Sequence, residues 1–238
     1  MTEILFASKK GGTGKSTLCA MVANHLALSG KTIAVIDCDN CNTLTWKRKS
    51  DKKSLSDIEG IPYQIISFDE YFDNEEKYED YDFILFDNYA SVSESNAGII
   101  VIPFIYSEMV LDSTFKFIKD LKKSGHEEIV FVPYEVNGYK QVIKKKDTIE
   151  TINWILGIFG KIMPKVGYSR VMEQVSTIKN TVEQNMLVKD FINELLPDCS
   201  MPESEISNPI EEENGSTSTI SEDTEMSSLP KNQNSEQQ

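Results

Sequence analysis

Apolar residues in this chain come in short unbroken runs, and stretches of helical spacing lie between several of them. The runs at residues 4 to 7, 31 to 39, 63 to 68, 81 to 87, 98 to 104 and 128 to 133, with a shorter one at 161 to 165, have the pattern of strands buried on both faces. Helical spacing shows at 15 to 29 through Leu18, Val22 and Leu26, with Ser29-Gly30 as a stop. It shows again at 108 to 123 through Val110, Leu111, Phe115, Phe117, Ile118 and Leu121. Further helices are expected at 147 to 160 and 185 to 196, and the acidic, tyrosine-rich stretch 70 to 82 reads as a helix or a connector. Strands alternating with helices predict an α/β fold, a mostly parallel sheet flanked by helices on both faces. No internal repeat interrupts this order. From Pro197 onward Ser, Thr, Glu, Asn and Gln dominate, too polar to offset the entropy of ordering, so one domain is expected at 1–196 and an acidic disordered tail at 197–238.

The first run breaks into Ser8-Lys9-Lys10-Gly11-Gly12-Thr13-Gly14-Lys15-Ser16-Thr17. Glycines at 11, 12 and 14 let the backbone curl and aim successive N–H groups at an anion. Lys15 offers a point charge for β- and γ-phosphates, the Ser16 hydroxyl suits Mg²⁺, and the helix opening near Thr17 turns its positive end to the same place. The general G-x-x-x-x-G-K-[ST] pattern is not met, since Lys9 occupies its first glycine position. Two later runs end in acids, Asp37-Cys38-Asp39 and Asp87, and in open α/β sheets ligands gather at the carboxyl ends of strands.

The stretch Lys10-Gly11-Gly12-Thr13-Gly14-Lys15-Ser16-Thr17 resembles the deviant Walker A ATPases, the family of ParA partition proteins and MinD division regulators. Within it the chain is most similar to small plasmid partition ATPases, and the resemblance spans roughly residues 1 to 196. It implies a P-loop NTPase binding ATP and Mg²⁺, with Lys10, Gly11, Gly12, Thr13, Gly14, Lys15, Ser16 and Thr17 on the nucleotide. By the same resemblance Lys10 reaches across a homodimer to the other subunit's phosphates, Asp37 and Asp87 hold Mg²⁺ with Ser16, and Asp39 orients the attacking water or accepts its proton. Pro133 and Tyr134 are the implied adenine contacts, and Tyr168 to Gln174 resembles the family's arginine-bearing stretch near the last nucleotide loop and interface. Two departures stand out. Asn40-Cys41 replaces the usual Pro-Gln, and the proline-free stretch from Asn88 to Ala97 is shorter than its counterparts.

The implied activity is slow ATP hydrolysis stimulated by a ParB-like partner, coupled to non-specific DNA binding in plasmid or mobile-element partition. An ATP-dependent positioning switch for a protein cargo or conjugation machinery, with weak or no hydrolysis, is the alternative that the two departures motivate. DNA binding requires clustered cations, available at Lys140, Lys144, Lys145 and Lys146 or from Lys47 to Lys53 beside Trp46, although such a run is more often a solvated face.

The formal net charge is -14, and residues 197 to 238 carry ten acids against Lys231, so the body is only mildly acidic. Four cysteines without a secretory signal fit free thiols in a cytoplasmic protein. The Cys38/Cys41 pair has no second ligand pair for a metal. No run is long enough for a membrane span, and no basic amphipathic helix ends the chain, so no membrane partner is expected.

Overall fold

The computed structural model describes residues 1–39, 42–54, 63–87, 97–134, 142–166 and 182–200. Its strands are β1 (Thr2–Phe6), β2 (Ile33–Asp37), β3 (Gln64–Ser67), β4 (Phe83–Asp87), β5 (Ile99–Phe104), β6 (Ile129–Pro133) and β7 (Lys161–Ile162). All pair in parallel in the order β3-β2-β4-β1-β5-β6-β7. The direction of winding therefore reverses at β1, which lies between β4 and β5. At that switch point the carboxyl ends of neighbouring strands splay their connections to opposite sides and open a crevice.

Alternation along each strand splits the core in two. Ile4, Phe6, Val35, Leu85, Val101 and Val130 face one side, where α1 (Lys15–Leu28) and α6 (Val182–Leu195) cover them with Leu18, Met21, Val22, Val188, Phe191 and Ile192. Leu5, Ile36, Ile84, Phe86, Ile100 and Phe131 face the other, under α3 (Phe68–Phe72), α4 (Glu108–Lys123) and α5 (Lys146–Gly157). The unbroken apolar runs are thus explained by burial on both faces. Helix α4 keeps the expected amphipathic stripe, starting at Ser107, whose hydroxyl accepts from the Val110 N–H. Helix α1 is instead buried throughout Leu18–Ala27, including Asn24 and His25. No described helix is long and apolar enough to cross a membrane.

The hydropathy pattern gave no helix at α2 (Thr43–Ser54), and its burial explains why. Leu44, Arg48 and Asp51 form its inward face, so two of the three buried positions between Thr43 and Lys53 are charged. The Arg48 guanidinium stacks 4.3 Å over the Tyr63 ring and donates from Nη2 to the Tyr63 carbonyl at 3.0 Å. Lys47 pairs with Asp51 at 3.0 Å, and the Tyr63 hydroxyl donates to Asn24 Oδ1 at 2.9 Å, tying α2 to α1 through β3's approach. Arg48→Ala leaves that carbonyl unpaired in a buried place and should cost about 2 kcal/mol by chemical denaturation. Arg48→Lys should recover little of it, because an ammonium cannot stack and fork together.

Past α6, Pro197–Cys199 forms one further turn with Cys199 buried. The remainder of the acidic tail, and the Asn88–Asn96 and Tyr168–Gln174 stretches, lie outside the described residues.

Candidate functional site

The loop after β1 is braced from within. Ser8 Oγ donates to the Lys10 carbonyl at 2.9 Å and lies 2.7 Å from Thr13 Oγ1, which donates to the same carbonyl at 3.2 Å. Thr13, expected on the nucleotide, is buried with its hydroxyl in this brace, so only its backbone is left for a ligand. Gly12 and Gly14 have φ of 74° and 90°, a region that excludes most side chains, whereas Gly11 is not in it. Gly14 is constrained twice: a Cβ there would sit 2.6 Å from Cε1 and Cζ of Tyr134. Tyr134, expected beside adenine, follows β6 and lays its ring against the loop where α1 begins, and Pro133 is buried as the last residue of β6. From Lys15 the helix runs on, with the Leu18 N–H donating to the Gly14 carbonyl at 2.8 Å.

Strand order then brings the acids in. Asp37 and Asp87 end β2 and β4 as register partners, and Asp87 is also paired with Phe6, the last residue of β1 before the loop. Both are buried, at 2% and 0% exposure. Asp37 is hydrogen-bonded: Oδ2 accepts from the Thr45 N–H at 2.8 Å and Oδ1 from the Asp39 N–H at 3.4 Å. Asp39, at the rim, accepts from Thr43 Oγ1 at 2.5 Å. Asp87 differs, since neither of its oxygens accepts a hydrogen bond of proper geometry among the described residues. Burial pushes its pKa up to about 7; Ser16 and Lys15 work against the rise, and Asp37 and Asp39 add to it. Lys15 extends toward the Lys10 carbonyl, 3.5 Å away. Burial lowers its pKa, while Asp87 and Asp39 hold it charged.

An orphaned buried carboxylate beside a serine hydroxyl and two further acids fits a hard divalent cation that keeps part of its water shell and takes phosphate oxygens as ligands. No three His, Cys, Asp or Glu side chains among the described residues are spaced to enclose a metal unaided. Mg²⁺ accompanying a nucleotide suits such a site better than a resident ion. Cys38 is no rival ligand, for burial and the nearby Asp87 and Asp37 push its thiol up to about 12.

The sequence matches the CobQ/CobB/MinD/ParA nucleotide binding domain over residues 4–235. The chain belongs to this family. Its all-parallel sheet with flanking helices is the P-loop NTPase fold of ParA and MinD. A plasmid partition protein of Borrelia burgdorferi bound to AMPPNP superimposes with a TM-score of 0.58 at 16% identity, covering 81% of this chain and 99% of that one. The MinD of the Aquifex aeolicus MinC:MinD complex gives 0.60 at 16%, covering 85% and 98%. The ATP complex of a Cyanothece McdA variant gives 0.51 at 17%, covering 87% and 95%. At these identities the likeness is one of fold. No curated protein sequence matches the chain significantly.

For this ParA/MinD family member, sequence reasoning missed four contributors. Ser8 braces the loop, Thr43 and Thr45 fasten α2 to Asp39 and Asp37, and Asp120 forms an ion pair with Lys9 that holds its carboxyl below the usual range. The short spacing of its hydroxyl from Asp39 was the available signal for Thr43, whereas Thr45 acts through its backbone N–H and carries no side-chain signal. Nothing local links Lys9 to Asp120.

Proposed function

We propose that this protein is a ParA-like ATPase that binds ATP with Mg²⁺, dimerises around two nucleotides, and acts in DNA partitioning through non-specific DNA binding and partner-stimulated hydrolysis. The support lies in how the two loop lysines are disposed. Lys15 stays over its own loop, whereas Lys10 Nζ meets only the Met109 sulfur, at 3.6 Å, and forms no ion pair among the described residues. A thioether is a weak acceptor. Lys10 is therefore free to exchange it for a triphosphate presented by a second copy.

In this reading the N–H groups of Gly11, Gly12, Thr13 and Gly14 cradle the phosphates with Lys15, and Ser16 and Thr17 open the helix beneath them. Ser16, Asp37 and Asp87 hold Mg²⁺, which when bound supplies the charge that neutralises the β- and γ-phosphate oxygens. Asp39 takes the proton of the attacking water, and Lys10 of the opposite subunit stabilises the charge that develops. Pro133 and Tyr134 are the adenine contacts in this reading, the Tyr134 ring lying against Gly14. A ParB-like protein accelerates turnover, and the cytoplasm is the expected compartment.

The test is light scattering with ATP and Mg²⁺. Wild type should shift from monomer to dimer, Lys10→Ala should bind ATP within a few-fold yet remain monomeric, and Asp39→Ala should persist as a dimer through slowed hydrolysis. A Lys10→Ala protein that dimerises like wild type overturns the trans assignment.

A further inference from the structure

The inward face of α2 is made by Leu44, Arg48 and Asp51, so Trp46, Lys49 and Lys53 stand on the opposite side, with Lys52 on the flank. Trp46 is 68% exposed, and the three lysines are exposed and form no ion pair among the described residues. The basic run thus separates into two parts. Lys47 and Arg48 are engaged with Asp51 and Tyr63, and what remains is a strip of three cations without an ion pair among the described residues, beside an indole.

This strip is unlike the other exposed tryptophan. Trp154 on α5, 71% exposed, has Ile158 one turn on and Glu150 one turn back, with Glu150 drawing Lys146 to 3.6 Å. On the outward face of α2 the charge among the described residues is of one sign, in a body whose overall charge is opposite. Such a strip suits a polyanion with flat faces to stack on. A projecting helix also enters a nucleic-acid groove without needing a pocket of its own.

The strip is joined to the nucleotide site as well. The first turn of α2 hangs from Asp37 through the Thr45 N–H and from Asp39 through Thr43 Oγ1. Any ligand that draws on those carboxylates changes what secures α2 at its start. We propose that the outward face of α2, Trp46 with Lys49, Lys52 and Lys53, is the nucleic-acid contact of this protein, and that nucleotide binding at Asp37 and Asp39 controls its presentation. This rests on the DNA-binding part of the reading above and assigns it to α2 rather than to the lysines preceding α5.

The test is fluorescence anisotropy of a labelled mixed-sequence duplex, and of its single strand, with the full chain in Mg²⁺ and either ATP or ADP across a salt series. Trp46→Ala should weaken binding roughly tenfold or more. Lys49→Ala/Lys52→Ala/Lys53→Ala should lower the slope of log affinity against log salt by about 0.9 for each phosphate no longer neutralised. ATP affinity should be unchanged in both, and Lys144→Ala/Lys145→Ala/Lys146→Ala should bind DNA like wild type. In a Trp154→Phe background, the Trp46 emission should differ between ATP and ADP and be quenched by DNA. Loss of DNA binding in the Lys144–Lys146 variant alone overturns the α2 assignment and leaves DNA binding standing. If wild type binds neither strand form at low salt, DNA binding and the α2 assignment both fall. If the α2 variants keep DNA affinity but lose poly-glutamate affinity, the strip is a protein-docking face and the proposal is overturned.

Discussion

Asp87→Asn is expected to make the nucleotide-free protein more stable at pH 8 by up to about 4 kcal/mol, while removing the Mg²⁺-dependent ATP turnover proposed above. Burial, with Ser16 and Lys15 only partly opposing it, raises the carboxyl from its ordinary value to about 7, so the folded protein holds a proton that the unfolded chain has already released. Between roughly pH 4 and 7 the folded state therefore binds more protons, and wild-type stability falls as pH rises through that window. Above it the folded chain carries a buried charge, only partly compensated by Lys15 and Ser16, that asparagine does not. The two proteins should be nearly equally stable near pH 4 and diverge to the full difference by pH 8. Parallel stability curves would show that another group titrates. The shifts of Asp82 and Asp120 run in the opposite direction but are common to both proteins, so the difference isolates Asp87.

The same physics gives the site its pH dependence in use. A cation can take this carboxylate only after its proton leaves. Apparent Mg²⁺ affinity, followed by nucleotide binding, should thus drop by about tenfold for each pH unit below 7 and level off above it. Asp37, whose oxygens already accept from Thr45 and Asp39, has no such deficit. Of the two register partners, Asp87 is the one whose buried state is incomplete without a ligand.

How far these features were legible depended on the range of the interactions behind them. The strands were legible because burial on both faces leaves an unbroken apolar run, and the loop because its glycines and lysine lie within a few residues of one another. That the chain inserts β4 between β1 and β2 was not, yet this insertion makes Asp37 and Asp87 neighbours across fifty positions. Helix α2 was hidden for a related reason. Its inward face carries Arg48 and Asp51 beside a single aliphatic residue, Leu44; Asp51 is paired with Lys47, and what makes Arg48 acceptable there is Tyr63, beyond a segment outside the described residues. A periodicity of hydrophobicity cannot register a helix whose burial is achieved by pairing. For Thr13 the motif does not say which of its groups would meet a ligand, and the contacts of its hydroxyl with Ser8 and the Lys10 carbonyl leave the backbone N–H for that part.

The three loop glycines separate two demands that a motif treats as one, and alanine substitution should rank them. Gly11 has neither positive φ nor any atom within 4 Å of where an added methyl would lie, so Gly11→Ala should change stability little. Gly12 has φ of 74° and open space, which leaves only the backbone cost of about 1–2 kcal/mol. Gly14 has φ of 90° and the Tyr134 ring 2.6 Å from the added carbon. Overpacking of that kind adds about 1–3 kcal/mol, so Gly14→Ala should cost about 2–5 kcal/mol and displace the start of α1, with loss of nucleotide binding. Because the ring sits at the end of β6, relief must come from there. Gly14→Ala/Tyr134→Leu should be less destabilised than the sum of its single changes by about 1 kcal/mol or more, while keeping the backbone cost. Denaturant melts of the four proteins decide it. Strict additivity, or Gly14→Ala no worse than Gly12→Ala, would mean that Tyr134 does not buttress the loop, and that Gly14 answers to its backbone angle alone.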